Sequence, residues 1–235
     1  MSIKAVLFDL DGTLLPMDQD AFVKVYFGLL AQKLAPYGYE AKKLINAIWL
    51  GTTAMVQNDG SKTNEEVFWD RFAELFGRDV LKDLSLFEEF YRNEFSGAKS
   101  ACGYQPMAEE AVRKVKEKGL RTVLATNPIF PAIATQNRIR WAGLRVEDFE
   151  FYTTYENSYH SKPNLAYYQD VLNRLGLQGE ECLMVGNDAT EDMVAETLGM
   201  QVFLLTDCLI NSREKEISQY PQGGYPELLA FLDKI

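Results

Sequence analysis

Apolar and polar positions along the chain fall into two patterns. Short apolar runs bounded by turn residues occur at Ala5–Leu10 (five of six positions apolar), Leu120–Thr126, Phe149–Thr153, Cys182–Gly186 and Val202–Thr206. Runs of this length and character predict strands buried on both faces, as in a parallel sheet. Between them lie segments with helical spacing. Ala108, Ala111, Val112 and Val115 recur at i, i+3, i+4 and i+7 between Pro106 and Gly119, and Tyr168, Val171, Leu172 and Leu175 do so between Asn164 and Gly176. Gly119 suits the position after a helix C-terminus, and Asn164 suits a helix N-cap. Strands alternating with amphipathic helices predict βαβ units and an α/β fold, a doubly wound parallel sheet covered on both faces.

One segment breaks the alternation. From Met17 to Gly103 no core strand is legible. Aromatic-rich helical patterns run instead through Ala21–Leu34, Ala41–Leu50, Asn64–Phe76 and Leu84–Phe95. The segment is too long for a crossover, and its edges carry turn material at Leu15-Pro16-Met17-Asp18 and Gly103-Tyr104-Gln105-Pro106. The expected organisation is an α/β core from residues 1–16 and 104–235, with an inserted α-helical domain at 17–103. An insertion joined by two linkers beside the end of the first strand would act as a lid. Its aromatics (Tyr26, Phe27, Tyr37, Tyr39, Trp49, Phe68, Trp69, Phe72) are expected to form that domain's own core. Asp18, Asp20, Lys24, Lys62 and Arg71 are its candidates for facing a cleft.

Composition narrows the function classes. The 235-residue chain is 47% hydrophobic, enough for one core or one core plus a smaller unit, and carries a formal charge of -10. That acidity disfavours nucleic acid as a partner, because such binders present a basic footprint. It leaves room for a phosphorylated small molecule, since a bound cation reverses the local field. Cys102, Cys182 and Cys208 form no CxxC pair and suggest no disulfide framework. No apolar run approaches membrane-spanning length, and no secretory h-region opens the chain. A cytoplasmic protein with no membrane contact is expected.

The chemistry gathers at predicted strand ends, where ligands bind in open α/β sheets. Asp9 and Asp11 follow the first strand, with Gly12 and Thr13 turning the chain behind them. Two carboxylates so close call for a neutralising cation. Mg²⁺ is the usual one, taking one or two carboxylates and completing its shell with water and phosphate. Thr126 and Asn127 end the second strand, where a hydroxyl and an amide suit a phosphate oxygen. Pro131 is placed to open the helix that follows. Lys162 precedes Pro163, which holds it extended; taken alone it reads as a solvated surface lysine, although an anion nearby would explain its place just before a helix N-terminus. His160, the only histidine, reads as a loop residue. Gly186-Asn187-Asp188 ends another strand, and Asp192, four residues after Asp188, falls where it can pair with Lys162 or a metal-bound water.

These four clusters, in this order, resemble the signature of the haloacid dehalogenase-like hydrolases. Asp9-Leu10-Asp11-Gly12-Thr13 matches the first motif, DxDGT; Thr126 matches the second, Lys162-Pro163 the third, and the Asn187-Asp188 region the fourth. The resemblance covers the core, about two-thirds of the chain, and the insertion point matches the family's class of helical cap. One departure stands out. The commoner fourth motif has Asp directly after the glycine, where this chain has Asn187, so Asp188 becomes the expected ligand and Asn187 a weaker neutral one or a donor to the shell.

The resemblance implies a Rossmann-like core and a Mg²⁺-dependent phosphatase acting on a small phosphorylated metabolite. Asp9 would attack phosphorus and form an aspartyl phosphate. Asp11 would protonate the leaving alkoxide and then activate water. Thr126 and Lys162, with Gly12 and Asn127, would hold phosphate oxygens. Mg²⁺ would sit between Asp9, Asp188 and the Asp11 backbone carbonyl, with Asp192 beside it. Dehalogenating relatives lack an acid at the position of Asp11, so its presence points to phosphoryl transfer. Phosphoglycolate, sugar phosphates and nucleoside monophosphates all remain open, as does a phosphomutase using the same two aspartates. Outside this class, a phospho-accepting signalling module shares an acidic Mg²⁺ pocket, but it places its acceptor Asp two strands later and has no place for the insertion.

Overall fold

The computed structural model describes residues 2–235. Six strands, β1 (Ala5–Phe8), β2 (Arg121–Leu124), β3 (Phe151–Tyr152), β4 (Cys182–Gly186), β5 (Gln201–Leu205) and β6 (Gln222–Gly223), form one parallel sheet in the order β3-β2-β1-β4-β5-β6. The helices are α1 (Gln19–Leu34), α2 (Ala41–Val56), α3 (Asn64–Phe76), α4 (Leu84–Arg92), α5 (Pro106–Glu117), α6 (Ala132–Trp141), α7 (Leu165–Leu175) and α8 (Tyr225–Leu232). The doubly wound α/β fold expected from the strand–helix alternation is the fold observed. β1 lies at the centre, between β2 and β4, and its side chains are fully buried, as its unbroken apolar run requires.

Element boundaries differ from the sequence pattern in places. β2 and β3 are shorter than the apolar runs that mark them. The β2–β3 ladder outlasts β3 all the same, because Thr153 N–H donates to the Leu124 carbonyl at 3.1 Å. Helix α2 continues beyond Leu50 to Val56, while α4 stops at Arg92 and gives way to a 3₁₀ segment at Glu94–Ala101. β6 has no apolar run of its own; it is recruited at the sheet edge when Leu204 N–H bonds the Pro221 carbonyl and Thr206 N–H the Gly223 carbonyl, both at 2.9 Å.

Helices α1 to α4 all precede α5. Their side chains do not close a core apart from the sheet. One apolar cluster runs from Val6, Phe8 and Leu10 on one sheet face through Phe22, Tyr26, Phe72 and Phe90 to Phe95. The other face packs separately, with Leu7, Val123 and Met184 against Tyr168 and Leu172 of α7. The start of α3 is tied to loops that follow β2 and β3. Thr63 and Glu66 close a reciprocal capping box. Just inside it, the fully buried Asn64 donates to the Pro128 carbonyl and to Ser161 Oγ, both at 3.1 Å, and accepts from Asn58 at 2.8 Å. Ser161 in turn donates to the Met55 carbonyl of α2 at 3.2 Å.

Candidate active site

The chain leaves β1 with Asp9 still in register, its N–H on the Val185 carbonyl of β4 at 2.9 Å. A tight turn follows, closed by Leu15 N–H on the Leu10 carbonyl at 2.8 Å. Gly12 takes a φ of +82°, and a Cβ there would collide with the Asn187 side-chain amide, so glycine is required on both counts. The Gly12 N–H is bonded to the Leu15 carbonyl at 2.8 Å. Gly12 also lies off the cavity wall. Its part in this structure is the turn.

Asp9 is nearly buried and held on both oxygens. Oδ1 accepts from Lys162 Nζ at 3.0 Å, and Oδ2 from the Thr13 hydroxyl at 3.1 Å. Lys162 is buried rather than a solvated surface lysine, and it also donates to Asp192 Oδ1 at 2.6 Å. Burial alone would drive the lysine toward neutrality, but Asp192 and Asp9 outweigh it and hold its pKa well above the ordinary value. Asp192 is pushed up to about 7 by burial, with Lys162 opposing and Asp9 adding to the rise. Its second oxygen accepts the Asp188 N–H at 2.9 Å. A Cβ on Gly186 would strike this carboxylate, so the glycine ending β4 makes room for it. Asp192 thus pairs with Lys162, one of the two roles its spacing allowed.

Asp11 points to the other side. Its Oδ2 accepts from Arg138 Nη1 of α6, while Oδ1 is buried with no hydrogen-bond partner among the described residues. Burial raises the Asp11 pKa, Arg138 pulls it down and Asp9 adds to the rise; the net direction is upward. Arg138 is fully buried, donates also to Thr135 Oγ1 at 3.3 Å and stacks over the Phe130 ring at 4.3 Å. Nothing in the sequence around Arg138 marked it for the site. Glu191 was missed as well. It accepts from Asn127 Nδ2 at 3.0 Å and is pushed up to about 8, chiefly by burial.

The remaining expected residues divide. Thr126 lines the cavity and its hydroxyl has no partner among the described residues; its carbonyl is held by Thr153 Oγ1 and Tyr167 OH at 2.6 and 3.0 Å. Asn127 also lines the cavity, but both ends of its amide are engaged, with Glu191 and with the Lys162 N–H at 3.3 Å. Lys162 is not among the residues lining the cavity and contacts the Asp9 and Asp192 carboxylates. His160 bonds Asp170 at 2.8 Å and belongs to a separate shallow pocket.

Asn187, expected as a weaker ligand or a hydrogen-bond donor to the shell, is hydrogen-bonded within the fold. Its amide oxygen accepts from Thr13 Oγ1 at 2.8 Å and its NH₂ donates to the Cys208 carbonyl at 2.7 Å. The Thr13 hydroxyl has one proton, which it shares between this amide oxygen and Asp9 Oδ2. Among the described residues no group of three His, Cys, Asp or Glu side chains is placed to hold a metal ion. Asp9, Asp11 and Asp188 line the cavity, and the Asp11 backbone carbonyl accepts no hydrogen bond among the described residues. Asp188 Oδ1 accepts the N–H groups of Thr190 and Glu191 at 2.6 and 2.9 Å, which leaves Oδ2 without a partner. These are hard oxygens, and they fit Mg²⁺ with its shell completed by water and substrate.

Above the carboxylates lies a cavity of about 230 Å³. Tyr26, Phe27, Trp49, Phe68 and Trp69 line it, so several aromatics expected to serve only as core also form its wall. Phe72 and Tyr39 are core away from the cavity, while Tyr37 and Trp49 are half exposed. None of Asp18, Asp20, Lys24, Lys62 and Arg71 faces it. Asp18 caps α1 through the Ala21 N–H at 2.8 Å, and Lys62 pairs with Asp70 at 2.6 Å on the surface.

Comparison with known proteins follows the same lines. No curated protein matches the sequence. A phosphatase of this superfamily from Thermococcus onnurineus superposes with a TM-score of 0.59 at 18% identity, over 98% of each chain. A 2-haloacid dehalogenase from Pseudomonas syringae pv. Tomato does so with 0.60 at 20% identity, over 97% of this chain and 99% of the other. The Bacillus subtilis hydrolase YfnB, solved bound to magnesium, gives 0.56 at 18% identity, over 99% and 100%. At such identities the likeness establishes the shared fold. The model of the haloacid dehalogenase-like hydrolase family matches residues 3–195. With that match over most of its length, the chain belongs to the haloacid dehalogenase-like hydrolase family.

Proposed function

We propose that the protein is a Mg²⁺-dependent phosphatase that hydrolyses a small phosphate monoester through an aspartyl phosphate on Asp9. The observation that carries this reading is the pair of carboxylates two residues apart at the end of β1, both on one cavity and held in different environments. Phosphate monoesters are among the slowest-hydrolysing bonds, with enhancements reaching ~10²¹-fold, and their catalysis rests on positioning and charge neutralisation.

Asp9 is the nucleophile. Lys162 holds one of its oxygens and the Thr13 hydroxyl, shared with Asn187, lies against the other, which orients the carboxylate, while the lysine offsets part of its charge against an incoming phosphate. Asp11 is the proton carrier: its raised pKa and unpartnered Oδ1 suit donation to the leaving oxygen and then removal of a proton from the attacking water. The free hydroxyl of Thr126 is available to a phosphate oxygen. Asp9, Asp188 and the Asp11 carbonyl would hold Mg²⁺, which when bound supplies the positive charge that lets phosphate approach two carboxylates. We further propose that residues 17–103 act as a cap, their aromatics closing the cavity over Asp9 and excluding water. Three free cysteines and the absence, among the described residues, of a helix long and apolar enough to cross a membrane accord with a cytoplasmic setting.

The test is hydrolysis of p-nitrophenyl phosphate with Mg²⁺ and with EDTA, by the wild type and by folded Asp9→Asn. Turnover is expected to need the metal and to vanish in the variant. Activity that survives Asp9→Asn would overturn the assignment of the nucleophile.

A further inference from the structure

The same cavity speaks to the substrate, if the phosphatase reading holds. Its wall is mainly apolar and aromatic, with Phe22, Phe27, Phe68 and Phe130 among the rings; besides the carboxylates and Thr126 its polar side chains include Gln19, Thr52, Asn127 and Asn187, of which the last three are already hydrogen-bonded within the fold. No Lys, Arg or His lines it. The two buried cations nearby, Lys162 and Arg138, are each already bound to carboxylates. Tyr26 and Tyr91 hydrogen-bond each other at 2.7 Å, and burial pushes Tyr26 up to about 12, so that pair offers the ligand no charge.

A second anionic group on the substrate would meet acidic residues on one side and rings on the other, with no protein cation to pair with. A polyol would find few free partners beyond Gln19 and the Thr126 hydroxyl, and hydroxyls left buried and unbonded are penalised. An apolar body suffers neither cost. Size agrees: a cavity of about 150 Å³ holds one benzene, and about 230 Å³ is available for such a ring beside the phosphoryl group.

We propose that the substrate is a phosphate monoester of an uncharged alcohol or phenol whose body is apolar and about one ring in size.

The experiment compares kcat/KM for benzyl phosphate, 2-phosphoglycolate and glucose 6-phosphate. All three are esters of primary alcohols, so recognition dominates the differences. Acetyl phosphate, a reactive acyl phosphate with no such body, is the control for phosphoryl transfer itself. Benzyl phosphate is expected to lead both metabolites by at least about 10-fold, the scale of hydrophobic-pocket discrimination. Thr52 on α2 lines the cavity, half-buried, and touches no proposed catalytic group. Thr52→Lys places the missing cation on the wall and is expected to shift the ratio toward 2-phosphoglycolate. Binding of benzyl phosphate to Asp9→Asn, read from the fluorescence of Trp49 and Trp69, checks the same preference without turnover. If acetyl phosphate is hydrolysed through Asp9 but benzyl phosphate fails to lead, or Thr52→Lys folds and leaves the ratio unchanged, the substrate proposal falls and the phosphatase survives. If no ester and no acyl phosphate is hydrolysed, the phosphatase reading falls and takes this one with it.

Discussion

Replacing Asp11 by Asn, the natural test of a proton carrier, should cost stability as well as activity. The Arg138 guanidinium is fully buried, whereas the Asp11 side chain keeps about a fifth of its surface in contact with solvent (21%). Asp11→Asn therefore leaves the more deeply buried charge without its counter-ion. Breaking a buried pair from one side costs about 3–5 kcal/mol. Arg138 would retain Thr135 Oγ1, the Ala134 carbonyl at 3.4 Å and the face of Phe130, so the lower end applies, about 3 kcal/mol. Against a total stability of roughly 5–15 kcal/mol that is a large share. With a urea slope of about 3 kcal/mol/M, the unfolding midpoint should fall by about 1 M. Arg138→Met removes the charge while keeping much of the volume. The double variant Asp11→Asn/Arg138→Met should then be less destabilised than the two single changes sum to, by about 1 kcal/mol or more. Urea unfolding of the four proteins measures the cycle. An Asp11→Asn protein within about 0.5 kcal/mol of wild type, or strict additivity in the double variant, would refute the reasoning. The practical consequence is that an inactive Asp11→Asn sample must be shown to be folded before its inactivity counts as catalytic.

Three other changes probe the surroundings. Asn187→Asp restores the family's commoner residue, yet it sets a carboxylate against the Cys208 carbonyl in place of an N–H donor; we expect a loss of about 1–3 kcal/mol in urea unfolding rather than a better metal site. Asn64→Ala removes the buried bonds to Pro128, Ser161 and Asn58 and should lower stability by about 1–3 kcal/mol, with a rise in protease cleavage between α2 and α3; unchanged cleavage would mean that Asn64 does not tie these segments together. Glu150 is held below the ordinary carboxylate value by its two-pronged bond to Arg121 at 2.6 and 2.7 Å. Its contribution is present above the unfolded pKa of about 4.3 and is lost as pH falls through the lowered folded value. Because the pair is partly exposed, Glu150→Gln should cost only about 0.5 kcal/mol at neutral pH, and the difference from wild type should close on acidification.

What the chain carries locally, its sequence determined by itself. A buried parallel strand must be apolar throughout, so β1, β2 and β4 could be read from unbroken runs. Side chains at a strand's C-terminal end have few places to go but the crevice beside it, so Asp9, Asp11, Thr126 and Asp188 were legible as one constellation. Caps announce themselves in neighbouring residues, as at Asn164, which accepts the Ala166 N–H at 3.0 Å. Tertiary structure decided whatever depends on a partner far along the chain. Arg138 looks like any helix-surface arginine until α6 packs against the turn after β1, 127 residues away in sequence, and its charge finds Asp11. Asn187 reads as a weak ligand until Thr13 and the Cys208 carbonyl take both ends of its amide. β6 exists only because an edge strand offers it hydrogen bonds. The aromatics of α1 to α4 follow helical spacing whether they face a core or a cavity, since periodicity reports burial from water and not what fills the space. Only the packing of α1 to α4 over the sheet left that space open above the carboxylates.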